Sequence, residues 1–266
     1  MNDLKWLNKI DSTLIKNKSR NFIGFEDELQ EMKNLVSLLR NKKENLSEQC
    51  QFFDISGKIL LYGDPGTGKS SLAFKLADDL LDSKDEIESY YLPVEKIITS
   101  ELGKTTENIS KAFDEVLELA KKRFIIIILD EIDRFTIDRT DKHELSELKR
   151  MFDKILDFLD SLDNKSNFLL IGITNIKNSF DEAFLRRFTI VKEIAVDTVI
   201  LEQFIVKCNS LLHLTMSEDD IKCLINRHSI KTCGQVKQLY RSVLLRKNYT
   251  QWFNIKAEEI KECVIL

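Results

Sequence analysis

A chain of 266 residues, 43% apolar and 32% charged, is long enough for one large or two modest domains with a real core, which excludes disorder. A formal net charge of −4 gives no global case for nucleic acid or an anionic membrane. Cys50, Cys208, Cys223, Cys233 and Cys263 contain no CxxC pair and read as reduced core thiols, and no apolar run is long enough to span a bilayer, so no membrane association and a cytoplasmic location are expected.

Residues 1–20 place Trp6, Leu7, Ile10 and Leu14 at helical spacing, which predicts a short docking helix. The next helix carries Leu29, Met32, Val36 and Leu39 on its core side. Residues 39–56 are polar enough for a mobile loop. A β-type run, "KILLY", then leads through Gly63, Gly66 and Gly68 into the helix-type "SSLAFKLADDLL". The spacing GxxxxGKS in this strand-to-helix setting is a phosphate cradle: inward-facing N–H groups hold the phosphates, Lys69 reaches the β and γ oxygens, and Ser70 ligates Mg²⁺.

A cradle of this kind needs an acidic element on a second strand. The aliphatic run Phe124–Leu129 reads as a strand buried on both faces, with Asp130 and Glu131 at its C-terminal end, where open α/β sheets bind ligands. Asp130 would hold Mg²⁺ through water and Glu131 would polarise the attacking water. The helix "HELSELKRMFDKILDFLDSL" has a plain core face, Leu145, Leu148, Phe152, Ile155, Leu159 and Leu162. A third apolar strand, Phe168 to Ile173, leads to Asn175.

"ILLYGDPGTGKSSLAFKLA", "IIIILDEID", "LLIGITN" and "FDEAFLRRF" follow one another as in the AAA+ ATPases, and the chain resembles the AAA clade of these P-loop NTPases from about Phe22 onward. The resemblance implies an α/β fold: an AAA+ αβα P-loop domain with a five-stranded parallel sheet, then a small α-helical lid, with ATP between them and a homo-oligomeric ring, usually a hexamer. The implied division is 1–20 for the docking helix, 21–197 for the nucleotide-binding domain and 198–266 for the lid. The lid helices would lie at "LEQFIVKCNSLL", "SEDDIKCLINRH" and "CGQVKQLYRSVLLRK".

Residue by residue, the resemblance implies adenine contacts at Ile23 and Gly24, and ATP phosphates held along Asp64, Pro65, Gly66, Thr67, Gly68, Lys69, Ser70 and Ser71. Ser70 and Asp130 would serve Mg²⁺. Asn175 matches the sensor 1 residue that orients the lytic water. Arg186 and Arg187 match the arginine-finger region and would face the nucleotide of a neighbouring subunit. Gly234 and Lys237 lie where many relatives carry the sensor 2 glycine and basic residue.

The expected function is ATP hydrolysis at subunit interfaces that remodels or switches a protein partner, as an accessory ATPase for a separately encoded effector. A substrate-threading unfoldase is an alternative, but where unfoldases carry an aromatic–aliphatic–glycine grip this chain has Glu101, Leu102 and Gly103. A carboxylate is a poor grip because it must desolvate against apolar side chains. A DNA-acting loader is the less favoured alternative, resting on Arg227, Lys231, Lys237, Arg241, Arg246 and Lys247.

Overall fold

Three apolar runs become neighbouring strands of one sheet. The computed structural model describes residues 4–20, 22–40, 44–81, 87–98, 104–135, 142–162, 167–176, 180–247 and 255–262. The strands are β1 (Asn8–Lys9), β2 (Lys58–Tyr62), β3 (Glu88–Tyr91), β4 (Ile125–Leu129), β5 (Phe168–Thr174) and β6 (Ile190–Glu193), in the order β1-β3-β4-β5-β2-β6. From β3 to β6 every pairing is parallel, which gives the five parallel strands expected. Every residue of β4 and β5 is buried, because helices cover both faces of a parallel sheet.

The sixth strand differs from expectation. Residues 6–10 do not continue a helix; β1 lies antiparallel on the β3 edge, with Asn8 opposite Tyr91, and the helix α1 covers only Ser12–Ser19. The side chain of Glu115 accepts the backbone N–H groups of Lys5, Trp6 and Leu7 at 3.2–3.3 Å, and Trp6, Leu7 and Ile10 are buried. The helical spacing of Trp6, Leu7 and Ile10 therefore does not produce a helix here. Pairing with an otherwise open edge decides for the strand.

Two long helices flank the P-loop strand. α2 (Glu26–Arg40) buries Leu29, Met32, Leu35, Val36 and Leu39, and α4 (Lys69–Leu81) follows the loop directly. Burial opposes ionisation of Asp79 on α4, but hydrogen bonds from Lys33 and Lys75 outweigh it and hold the carboxyl below its usual range. The stretch expected as a mobile loop contains a further helix, α3 (Glu44–Phe52).

α5 (Val94–Ile97) and α6 (Lys104–Ala120) lie between β3 and β4 in sequence, and α7 (Lys142–Ser161) and α8 (Glu182–Leu185) flank β5. Lys58, in the first position of β2, is 1% exposed, and its Nζ donates at 2.9 Å to the carbonyl of Leu159. That carbonyl lies in the last turn of α7, where it also accepts from the Leu162 N–H at 3.3 Å and where the helix end favours a cation.

The chain divides into two compact units, one comprising Met1–Gly63 with Lys69–Glu193 and the other Asp64–Gly68 with Ile194–Leu266. The second unit contains α9 (Thr198–Leu211), α10 (Glu218–Arg227), α11 (Cys233–Leu245) and α12 (Ala257–Glu262). Their starts are written in the sequence: Asp197 caps α9, and Ser217–Asp220 and Thr232–Gln235 form reciprocal capping boxes on α10 and α11. Tyr240 donates to Asn209 at 2.6 Å inside this unit. Among the described residues no helix is long and apolar enough to cross a membrane.

Candidate functional site

The register of the sheet sets the candidate residues side by side. Leu129 pairs with Gly172 and Tyr62 with Thr174, so β4, β5 and β2 end together. Asp130 and Glu131 leave β4 there, Asn175 leaves β5, and Gly63 leaves β2. These are adjacent C-terminal strand ends, the edge at which an open α/β sheet binds its ligand.

The P-loop is closed by its own polar groups. Thr67 Oγ donates to the Asp64 carbonyl at 3.0 Å, and Lys69 Nζ donates to the Gly63 carbonyl at 2.7 Å. Thr67 and Lys69 are 3% and 5% exposed, whereas Asp64, Pro65 and Gly66 are exposed. Gly66 has φ 81°, a left-handed conformation that a side chain resists. It also lies against the helical unit to which residues 64–68 belong: Gly234 N–H donates to the Gly66 carbonyl at 3.0 Å, and a Cβ on either glycine would come 3.1 Å from the other's Cα.

Ser70 Oγ donates to Asp130 Oδ2 at 3.0 Å, so the hydroxyl and carboxylate expected at one metal do meet. Both are hard oxygen donors of the kind taken by Mg²⁺, which keeps waters and substrate phosphates in its shell and needs one or two protein ligands. Burial first, and then the Asp130, Glu95 and Glu131 carboxylates, push the Tyr91 hydroxyl above its usual range.

Glu131 has φ 56°, a conformation that costs a non-glycine residue about 1–2 kcal/mol. Its N–H donates to Asp130 Oδ1 at 2.9 Å, and its carboxylate pairs with Arg134 at 2.5 Å. Asp133 accepts from the Thr174 hydroxyl at 2.6 Å and from the Asn175 N–H at 3.4 Å, which fixes the end of β5 while Asn175 itself is exposed. Sequence reasoning missed Arg134 and Asp133. They sit in the 3₁₀ turn Ile132–Phe135 that follows the two acids, a position whose contacts depend on that turn.

The two arginines separate. α8 is anchored by Phe184, which stacks with Phe180 and Phe152, and is capped by Asp181. Arg187 pairs with Asp160 on α7 through Nε at 2.6 Å and Nη2 at 2.9 Å and also donates to the Ala183 carbonyl. Arg186, the C-cap of α8, is exposed, and its guanidinium has no hydrogen bond or ion pair among the described residues.

The remaining candidates are farther from the three strand ends in the chain. Ile23 is half-buried and Gly24 buried, with φ 71°, in the turn before α2. Lys237 Nζ lies over the Phe204 ring, 5.5 Å from its centroid, inside the helical unit. Ser71 is half-buried in the first turn of α4. Glu101, Leu102 and Gly103 lie outside the described residues.

A phosphate loop between strand and helix, a hydroxyl–carboxylate pair and an acidic strand end define a P-loop nucleotide-binding protein. The chain belongs to the ATPase family associated with various cellular activities (AAA), whose profile matches residues 59–196, about half of its length. It is 32% identical over 212 residues to Cell division protein C of Sulfolobus acidocaldarius, covering 76% of this chain and 53% of that protein. It is 31% identical over 189 residues to CD-NTase-associated protein 6 of Pseudomonas aeruginosa, covering 68% and 61% respectively. The chain thus spans less than two thirds of these relatives. Among solved structures, a chain of the E. coli MS115-1 HORMA:CdnC:Trip13 complex superposes with TM-score 0.77 at 15% identity, covering 98% of this chain and 95% of that one. C. elegans PCH-2 superposes with TM-score 0.63 at 19% identity, covering 96% and 72%. At such identities the superpositions speak for a shared fold.

Proposed function

We propose that this chain hydrolyses ATP·Mg²⁺ at a site completed by a neighbouring copy, and that the cycle switches or remodels a protein partner. The observation that carries the reading is the meeting of Ser70 with Asp130 beside the P-loop, with Glu131 and Asn175 leaving the adjacent strand ends. The N–H groups of residues 64–71 and the start of α4 hold the phosphates, and Lys69 neutralises their charge. Ser70 and Asp130 would hold the metal, which when bound spreads the charge on the β and γ oxygens. Glu131 orients the attacking water with Asn175 beside it. To do so its carboxylate exchanges Arg134 for water, and since both side chains are about half exposed this costs no more than about 1 kcal/mol. The assignment of Ile23 and Gly24 to adenine rests on family resemblance, and Lys237, whose ammonium lies over Phe204, is left out of the phosphate site.

Arg186 is the finger given to the next copy, because Arg187 is engaged with Asp160. A finger given in trans makes turnover depend on assembly, and the family resemblance supports a ring. Relatives whose names tie them to other proteins, CD-NTase-associated protein 6 and the HORMA:CdnC:Trip13 complex, support a protein partner. A reducing cytoplasmic compartment accords with the free thiols of Cys50, Cys208, Cys223 and Cys233. The test is a Glu131→Gln chain, which should bind ATP without turnover and retain a partner only while ATP is bound. Wild-type turnover in that variant contradicts the role of Glu131, and retention indifferent to nucleotide contradicts the switch.

A further inference from the structure

Two exposed apolar features on different parts of the chain carry opposite charge. The first is an aromatic pair. Phe52 is 80% and Phe53 66% exposed, and their rings meet edge to face, 5.0 Å between centroids. They are held in a defined turn: Ile55 N–H donates to the Cys50 carbonyl at 2.8 Å, Asp54 N–H donates to the Gln51 carbonyl at 3.3 Å, and Asp54 has φ 52°. This is the closed, left-handed C-cap of a helix, so the two rings at the end of α3 are presented rather than loosely hung. Exposed Glu48, one turn back, and exposed Asp54 flank them.

The second feature is the end of α11. Leu245 is 73% exposed, with exposed Arg241 one turn before it and exposed Arg246 after it. These arginines belong to the basic stretch that raised the question of DNA. Much of that stretch is occupied inside its own unit: Arg227 donates to the Lys261 carbonyl, Lys237 sits over Phe204, and Lys247 pairs with Glu259. The stretch's aromatic residue, Tyr240, is buried and bonded to Asn209, so it offers no face for a base to stack on.

We propose that the Phe52–Phe53 turn of one copy packs on Leu245 of a second copy of this chain, with Glu48 and Asp54 facing Arg241 and Arg246. An aromatic knob with acids matches an aliphatic spot with arginines in both apolarity and sign, the pattern of a specific interface. The two surfaces differ, so each copy offers its knob to one neighbour and its basic end to another. Such a head-to-tail contact builds a ring where the rotation closes. The inference deepens the assembly proposed above and is independent of which arginine serves the nucleotide.

Sedimentation velocity in ATP and Mg²⁺ tests it with charge reversals. Glu48→Arg with Asp54→Arg, and separately Arg241→Glu with Arg246→Glu, should each raise the assembly midpoint concentration about tenfold or more, and the chain carrying all four changes should recover most of that loss. Phe52→Ser with Phe53→Ser should stay unassembled while binding ATP normally, which shows that it is folded. A reversal that assembles like the wild type, or a fourfold variant that recovers nothing, overturns the interface. A wild-type chain that remains monomeric in ATP overturns both this interface and the assembly on which it rests, whereas unaffected assembly of the variants overturns the interface alone.

Discussion

Arg187 grips Asp160 with two nitrogens, Nε on Oδ1 and Nη2 on Oδ2, and so ties α8 to the end of α7. Arg186, its neighbour in sequence, has no such contact among the described residues. Adjacent and chemically identical residues therefore have different surroundings.

Replacing Arg187 should act through the fold. Arg187→Ala and Asp160→Asn should each lower stability by about 1 kcal/mol, the worth of a half-exposed paired charge, and the double change should cost little more than either alone. Arg186→Ala should leave urea unfolding unchanged and ATP affinity near normal. If Arg187→Ala unfolds at the wild-type urea concentration, the positioning role is wrong.

Turnover should require the metal and both residues assigned to it. Asp130→Asn and Ser70→Ala should lower the rate by orders of magnitude while nucleotide still binds, and excess EDTA should stop the wild type. Titrating Mg²⁺ back measures the site directly. A rate indifferent to Mg²⁺ contradicts the pairing of Ser70 with Asp130.

The contact of Gly234 with the P-loop leads to a third expectation. A methyl group on Gly234 would meet the Gly66 Cα at 3.1 Å, so the loop backbone must give by a few tenths of an ångström. Overpacking of this kind costs about 1–3 kcal/mol. Gly234→Ala should therefore weaken ATP binding measured by calorimetry, whereas Lys237→Ala, whose ammonium sits over Phe204, should change it little. A Gly234→Ala chain with wild-type affinity would show that the loop does not depend on this contact.

Stability should fall in alkali for an identifiable reason. Burial pushes the thiols of Cys208 and Cys233 up to about 11, partly countered by Lys237. The unfolded chain ionises its thiols near about 8.5, so the fold favours the protonated form. Their contribution is complete below that value and is lost as pH rises through about 11. Alkylation of the native protein at pH 8 should modify exposed Cys223 well before buried Cys233; equal rates would contradict the burial assigned to Cys233.

Much of the candidate site's arrangement could be read from the sequence because its residues are local to one another. The glycine spacing, the lysine and serine after it and the acids after an aliphatic run are neighbours in the chain, and the capping boxes of α10 and α11 are four-residue signals. What escaped depends on distant partners. Trp6, Leu7 and Ile10 follow a strand because Glu115 and the β3 edge receive them. Nothing local to Lys58 announces that its ammonium is buried against the carbonyl of Leu159. Arg186 and Arg187 look equivalent until Asp160 distinguishes them. The polar stretch before β2 holds a helix because α3 ends in a closed cap, whose Asp54 lacks the usual glycine signal.

Mixing two inactive chains most directly tests completion of the site by a neighbouring copy. Arg186→Ala chains keep an intact P-loop and Lys69→Ala chains keep an intact arginine, so each should be silent alone, the former by about 10³-fold or more if its guanidinium acts as in other nucleotide hydrolases. Mixed at equal concentration, they should recover a measurable fraction of wild-type ATP hydrolysis, rising with total protein. A mixture as silent as its components, or an Arg186→Ala chain that turns over at the wild-type rate by itself, would contradict the account.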